Sequence, residues 1–274
     1  REKISACNHS VRGEERSPGT IENYLRHVER FSSWLSGNEV TREAVADWKK
    51  QLVMEGYAPS SVNAMLVALN AFFRAMGWEE FQVRTLRLQR KMFRREEQEL
   101  RRTDYDRLVN TARSRGKERL ALLMETICAT GIRVSEVRRI TVEAARTGRT
   151  EISLKGKIRT ILLPQKLCRK LLKYAGRQKI TSGEIFLTRG GRPLSRKQIW
   201  AEMKGLCKAA GVQASKVFPH NLRHLFARTF YRACRDIVKL ADILGHSRIE
   251  TTRIYLISTG LEHARQLERL QLIS

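Results

Sequence analysis

Apolar residues recur at helical spacing along almost the whole chain, and the pattern gives way to β-type runs at one place, on either side of Lys155-Gly156-Lys157. A chain patterned in this way is confined to a helical architecture with at most a small sheet. Ile21, Tyr24, Leu25, Val28, Phe31 and Leu35 mark the first amphipathic helix, which Gly37-Asn38 ends. Thr41 caps a second, with Val45, Trp48, Leu52 and Val53 as its apolar stripe and Gly56 as its stop. Pro59-Ser60-Ser61 opens a third, which runs through Val62, Met65, Leu66, Leu69, Phe72 and Phe73 to near Gly77. The expectation is a small helical bundle over residues 18–81, preceded by a flexible polar arm at 1–17.

Residues 82–102 hold many arginines and few apolar positions and read as a basic linker, either solvated or laid along a polyanion. A larger domain is expected over 103–259. Thr103-Asp104-Tyr105-Asp106 starts a helix, Leu120 to Ala129 forms another, and a turn or helix begins at Ile132. Thr150–Leu154 and Arg159–Leu163 form a hairpin. Helices follow at 165–175, 195–210, 220–233, 236–244 and 249–257, with a C-terminal helix in 260–274 that packs on its own domain or on another subunit. The fold class is mainly α: a helical bundle plus a mostly helical domain with a small antiparallel β-sheet.

Charge narrows the partner. The formal net charge is +25, and residues 93–274 carry +22 of it. Such a field points to nucleic acid; an anionic membrane is the alternative, disfavoured because no single amphipathic helix holds the charge. The five cysteines are odd in number and widely spaced, without a C-x-x-C pair, which argues against a disulfide framework or a zinc site. With no apolar run near the roughly 18 residues of a membrane span and no leader pattern, a cytoplasmic protein without membrane association is expected.

Leu244 to Tyr255 gathers an imidazole, a phenol and two guanidinium groups within twelve residues. Tyr255 is the evident nucleophile, and a phosphodiester is the electrophile the charge suggests. Attack on it loads negative charge on the phosphate oxygens, which guanidinium groups bind two at a time; it also requires proton transfer at the phenol and at the leaving oxygen. Arg133 with Glu136, and His220 with Arg223, stand at i, i+3 and share a face if helical.

Ala129-Thr-Gly-Ile-Arg133-Val-Ser-Glu136, the hairpin Lys155, Pro219-His220-Asn-Leu-Arg223-His224, Leu244-Gly-His246 and Tyr255 occur in an order and spacing that resembles the tyrosine recombinases, the phage-integrase family. The resemblance covers about residues 18–265. It implies a DNA breaking-rejoining fold with core-binding and catalytic domains, and a site-specific recombinase or integrase of mobile-element, phage or prokaryotic origin. Tyr255 would form a 3′-phosphotyrosyl link, Arg133 and Arg223 would clamp the phosphate, and Glu136 would hold Arg133. His220 would accept or donate a proton, and His246 would donate a hydrogen bond to a phosphate oxygen. Lys155 would protonate the 5′-oxygen, with Lys157 as its substitute. His224 reads as structural.

Double-stranded DNA is the implied partner, with a homotetramer on two sites and a monomer in its absence. Neither a cofactor nor a metal is expected. Ser60, Ser61, Asn63, Arg84, Arg87, Arg90, Lys91 and Lys157 are further DNA-binding candidates, and Arg248 and Arg253 are backbone or surface charges. Type IB topoisomerase chemistry and an inactive DNA-binding accessory protein are the alternatives.

Overall fold

The computed structural model describes residues 18–88, 98–154, 157–256 and 268–269. They divide into two compact units, one ending within and the other starting within the stretch after Leu88. None of the described helices is long and apolar enough to cross a membrane.

The first unit holds α1 (Pro18–Leu35), α2 (Arg42–Met54) and α3 (Pro59–Ala75), followed by a 3-10 turn at Glu79–Phe81. Thr41 caps α2 by accepting the amide of Ala44, and Pro59 fixes the first turn of α3. The apolar stripes meet around Phe31, whose ring lies edge-on to Trp48 at 5.1 Å and to Phe73 at 6.3 Å. Val45, Val62, Leu66 and Leu69 are fully enclosed. Each such side chain contributes about 1.5–3 kcal/mol by burial.

Part of the stretch at 82–102 is held against the first unit's helices, although Arg84, Thr85, Arg87 and Leu88 are exposed. Asn70 pairs both ways with the main chain of Val83, donating to its carbonyl at 2.8 Å and accepting its amide at 3.2 Å. Asn63 does the same with Leu86 at 2.9 and 2.7 Å. The spacing follows from geometry: seven helical residues advance about 10.5 Å, and three extended residues about 9–10 Å. Two asparagines at i, i+7 therefore hold an extended segment along α3. At the other end, Leu100 is 2% exposed and belongs to the second unit's core.

The second unit runs through α4 (Arg102–Ser114), α5 (Glu118–Thr130), a 3-10 turn (Val134–Arg139) and α6 (Val142–Thr147) to the hairpin of β1 (Arg149–Leu154) and β2 (Lys157–Leu162). It continues with α7 (Gln165–Arg177), α8 (Arg196–Lys204), α9 (Cys207–Ala210), α10 (Pro219–Cys234), α11 (Ile237–Leu244) and α12 (Ile249–Leu256). The architecture is thus mainly α with a two-stranded antiparallel sheet. The span 195–210, expected as one helix, is two, interrupted at Gly205-Leu206. The turn or helix expected from Ile132 is a 3-10 turn. The six-residue α6 is too short to leave a periodic signal, although Thr141 caps it and Gly148 ends it. The C-terminal helix expected in 260–274 falls almost wholly outside the described residues.

The core of this unit centres on α5, whose Leu120, Leu123, Met124 and Ile127 are buried. The inner face of α10, with Leu222 and Leu225, joins it. A smaller cluster of Ala227, Leu240, Leu244 and Tyr255 binds α10, α11 and α12 together. Cys128, Cys168, Cys207 and Cys234 are free thiols.

Candidate active site

Four pieces of chain place their polar side chains together in the second unit. The first is the turn after α5. Gly131 ends that helix in the left-handed conformation, with φ +65°, and a Cβ there would lie 2.4 Å from the ring of Phe226. Glycine is required on both counts. Arg133 then begins the 3-10 turn, in which residues three apart eclipse one another. Glu136 consequently reaches back, accepting from the Arg133 amide at 2.7 Å and from its Nη1 at 2.9 Å. Glu136 is 3% exposed, whereas the Arg133 side chain keeps 38% of its surface open. The shared face expected for this pair is present, produced by a different helix type.

The second piece is α10. Pro219 sets its first turn, and His220 and Arg223 follow one turn apart. Arg223 is 1% exposed, as enclosed as the core leucines. Its guanidinium donates from Nη1 to the Gly131 carbonyl at 2.5 Å and from Nη2 to the Leu244 carbonyl at 2.8 Å. Nη2 also lies 2.9 Å from His246 Nε2, and Nε donates to the Tyr255 hydroxyl at 3.3 Å. One side chain thus ties the ends of α5 and α11 to the nucleophile. Burial, partly offset by Tyr255, lowers its pKa from the usual guanidinium range.

The third and fourth pieces are the α11–α12 turn and α12 itself. Gly245 is left-handed, with φ +65°, which turns the chain so that His246 faces the site. The His246 and Tyr255 rings stack with centroids 5.5 Å apart. Tyr255 is 6% exposed, and Thr252 one turn before it is fully buried on the same face. Burial first, then the cations Arg223, Arg133 and Arg159, hold the His246 pKa down to about 4, so the ring is neutral near pH 7. A cavity of about 220 Å³ is lined by Arg133, Ser135, Arg196, His220, Arg223 and Tyr255, among others. It has the residue types that an anionic phosphodiester calls for, with the phenol of Tyr255 in its lining.

Arg133, Glu136, His220, Arg223, His246 and Tyr255 are therefore brought together. Lys155 lies outside the described residues, and Lys157 opens β2 opposite Leu154. In the first unit, Ser60 and Ser61 are exposed in the first turn of α3, where Ala58 rather than a serine is the N-cap. Asn63 is spent on the Leu86 main chain, so its amide has a structural use. Arg84 and Arg87 are exposed on the extended segment, and Arg90 and Lys91 fall outside the described residues.

Sequence reasoning missed two neighbours of the site, Arg159 and Arg196, and gave a third, His224, a structural reading. Arg159, on β2, has a side chain 10% exposed and meets Glu136 at 3.2 Å, so two guanidinium groups share one buried carboxylate. Its pKa falls to about 10, chiefly through burial. A signal existed: Arg159 stands on the strand face that carries the buried Ile161, while Ile158 and Leu162 on the other face are exposed. Arg196, at the start of α8, lines the cavity, and nothing in its local sequence distinguishes it. His224, read as structural, has its ring 4.3 Å from that of Tyr255, nearer than His220 at 5.6 Å. Among the described residues, no cluster of three His, Cys, Asp or Glu side chains is arranged to hold a metal ion.

Comparison with known proteins bears on the same regions. Residues 98–260 match the phage integrase family, and residues 10–80 match its N-terminal SAM-like domain. The chain is 30% identical to the tyrosine recombinase XerA of Thermococcus kodakarensis, over 93% of this chain and 90% of that protein. It is also 30% identical to the tyrosine recombinase XerD of Brucella suis, over 86% of this chain and 85% of the other. The fold is like that of a lambda integrase dimer bound to a COC′ core site, with TM-score 0.72, 18% identity and coverage of 93% and 76% of the two chains. It is equally like the Tn1549 transposon integrase in complex with transposon right end DNA, with TM-score 0.70, 16% identity and coverage of 98% and 99%. The motifs that converge on Tyr255 thus lie within a family match that spans more than half of the sequence, and the chain belongs to the phage integrase family.

Proposed function

We infer that this protein is a site-specific DNA recombinase that cleaves and rejoins duplex DNA through Tyr255. The observation that carries the reading is the phenol oxygen held 3.3 Å from Arg223 Nε in a cavity that Arg133 and His220 also line. A phosphodiester seated there meets Arg133, whose outer surface is open, and the part of Arg223 that lines the cavity. The Tyr255 oxygen attacks phosphorus, the bond to the 5′-oxygen breaks, and a 3′-phosphotyrosyl link forms. His220, exposed and lining the cavity, takes the phenol proton, and Lys155 supplies the proton to the leaving 5′-oxygen. Guanidinium groups suit the transition state because they stay charged and bind paired oxygens. Rejoining is the reverse, with a 5′-hydroxyl as nucleophile, and the covalent link conserves the bond energy.

The DNA substrate and assembly on it are supported by relatives. Lambda integrase has been solved as a dimer on a core site and as a tetramer on a Holliday junction. This chain acts likewise as a homotetramer that pairs two DNA sites, with Arg84 and Arg87 against the phosphate backbone.

The test is a nicked suicide duplex bearing the cognate site, followed by denaturing electrophoresis and peptide mapping. A covalent adduct at Tyr255, absent from Tyr255→Phe while DNA binding is kept, is expected. An active preparation that forms no adduct, or forms one through another residue, overturns the reading. Relaxation of supercoiled plasmid without recombinant product would instead indicate strand rejoining of the topoisomerase type.

A further inference from the structure

Thr252 has no surface open to solvent and lies one turn from Tyr255 on α12. Its Oγ1 is 2.9 Å from His246 Nδ1, while Nε2 of the same ring is 2.9 Å from Arg223 Nη2. A guanidinium can only donate, so Nε2 accepts. On a neutral ring the single proton then sits on Nδ1 and is donated to the threonine hydroxyl.

We propose that Thr252 is a positioning residue for strand cleavage, holding His246 in its Nδ1-protonated tautomer so that the Nε2 edge is kept for the scissile phosphate. The proposal rests on the reading of Tyr255 as the nucleophile that attacks DNA. In the protein without DNA, Arg223 occupies that edge. A phosphate oxygen is an acceptor, so its contact with Nε2 requires the ring to take one proton from solvent. The imidazolium then donates from Nδ1 to Thr252 and from Nε2 to the phosphate, and the Arg223 N–H turns to the phosphate as well. The threonine oxygen accepts in both states, so the ring need not rotate between them.

The electrostatics fit this sequence. The ring faces Arg223 and His220 from α10, Arg133 from the 3-10 turn and Arg159 from β2, with Tyr255 stacked on it from α12. The carboxylate of Glu136 is engaged by Arg133 and Arg159. The negative charge that favours the imidazolium therefore arrives with the DNA. Thr252 and Tyr255 also share one helix face, so the contact that fixes the ring also fixes the helix that presents the nucleophile.

Nitrogen-15 NMR of the histidine side chains, combined with single-turnover cleavage of the nicked duplex, tests the proposal. The wild-type protein should show His246 protonated at Nδ1 and unprotonated at Nε2. Thr252→Val, equal in shape but without the acceptor, should cleave about tenfold more slowly, the effect of one buried hydrogen bond, with DNA affinity kept within about twofold. Its pH profile should shift to lower pH, because the imidazolium has lost a partner. Thr252→Ser, which keeps the hydroxyl, should recover most of the rate. An Nε2-protonated ring in the wild type, a Val variant as fast as wild type, or Ser and Val variants equally slow would each overturn it. A wild-type protein that forms no adduct refutes the reading of Tyr255 instead, and the tautomer measurement then still decides whether Thr252 holds the ring.

Discussion

In the first unit the fully enclosed large side chains are Trp48, Phe73, Leu52, Leu66 and Leu69, whereas the second unit encloses Arg223 as completely as a leucine. The second unit also buries Asp104, Glu136, Asn221, His224 and Thr252, and the first buries no polar side chain among its described residues. Moving an ion out of water costs several kcal/mol even after relaxation, and pairing recovers that only with good geometry. The first unit is therefore built for stability, and whatever it binds it binds at its surface. The second accepts a desolvation cost, and Glu136, Arg223, His224 and Thr252 lie around Tyr255 or the cavity it lines. Buried charge that gathers at one cavity marks a place where chemistry, not packing, set the composition.

The contrast predicts different consequences for equally drastic substitutions. Glu136→Ala leaves Arg159 buried without its carboxylate and should cost about 3–5 kcal/mol, measured by denaturant unfolding of the second unit. Cleavage by the fraction that stays folded should also collapse, because Arg133 loses its support. Trp48→Ala should cost a similar ~3–5 kcal/mol through its cavity, read from hydrogen exchange in α2 and α3. Strand cleavage by the folded protein should survive it. A Glu136→Ala protein that cleaves normally, or a Trp48→Ala protein that is folded but dead, would break the distinction.

Smaller effects sharpen it. A Cβ on Gly245 would stand 2.4 Å from Arg159 Cδ at a left-handed residue. Gly245→Ala should therefore cost about 1–3 kcal/mol in thermal unfolding and displace Arg159 from Glu136. Asn63→Ala and Asn70→Ala should each cost about 1 kcal/mol and speed limited proteolysis within 82–88, with little change in cleavage chemistry.

A further comparison concerns pH. The folded His246 pKa, at about 4, lies below its ordinary value of 6.5, so the unfolded chain binds more protons between these limits. The stabilising contribution is full above pH 6.5 and is lost as pH falls through 4. Unfolding followed across that window should show stability declining toward acid, and His246→Asn should flatten the decline.

Much of this was legible in local sequence. Helices announced themselves by periodicity and by Thr41, Pro59, Pro219, Gly131 and Gly245 at their ends, because caps and left-handed turns act over a few residues. Arg133 with Glu136, and His220 with Arg223, were visible as pairs one turn apart, which holds for a 3-10 turn as well as for an α-helix. What escaped is long-range. Val83 and Leu86 look like linker until α3 offers two asparagines at a matching advance, and Leu100 looks exposed until the core of the second unit receives it. Arg159 sits on an inward strand face that apolar residues on both faces of β2 conceal.

The sequence by itself determined that the chain is helical, that its larger part is strongly basic, and which phenol, guanidinium and imidazole groups were available near Tyr255 in motif order. Periodicity, capping and net charge need nothing beyond neighbouring residues. Only the tertiary structure decided that Arg223 is buried and spent on Gly131, Leu244, His246 and Tyr255, that Arg159 shares Glu136, and that Thr252 holds one nitrogen of His246. Which tautomer a ring adopts, and how many N–H groups a guanidinium has left for a ligand, depend on partners up to 92 residues away in the chain.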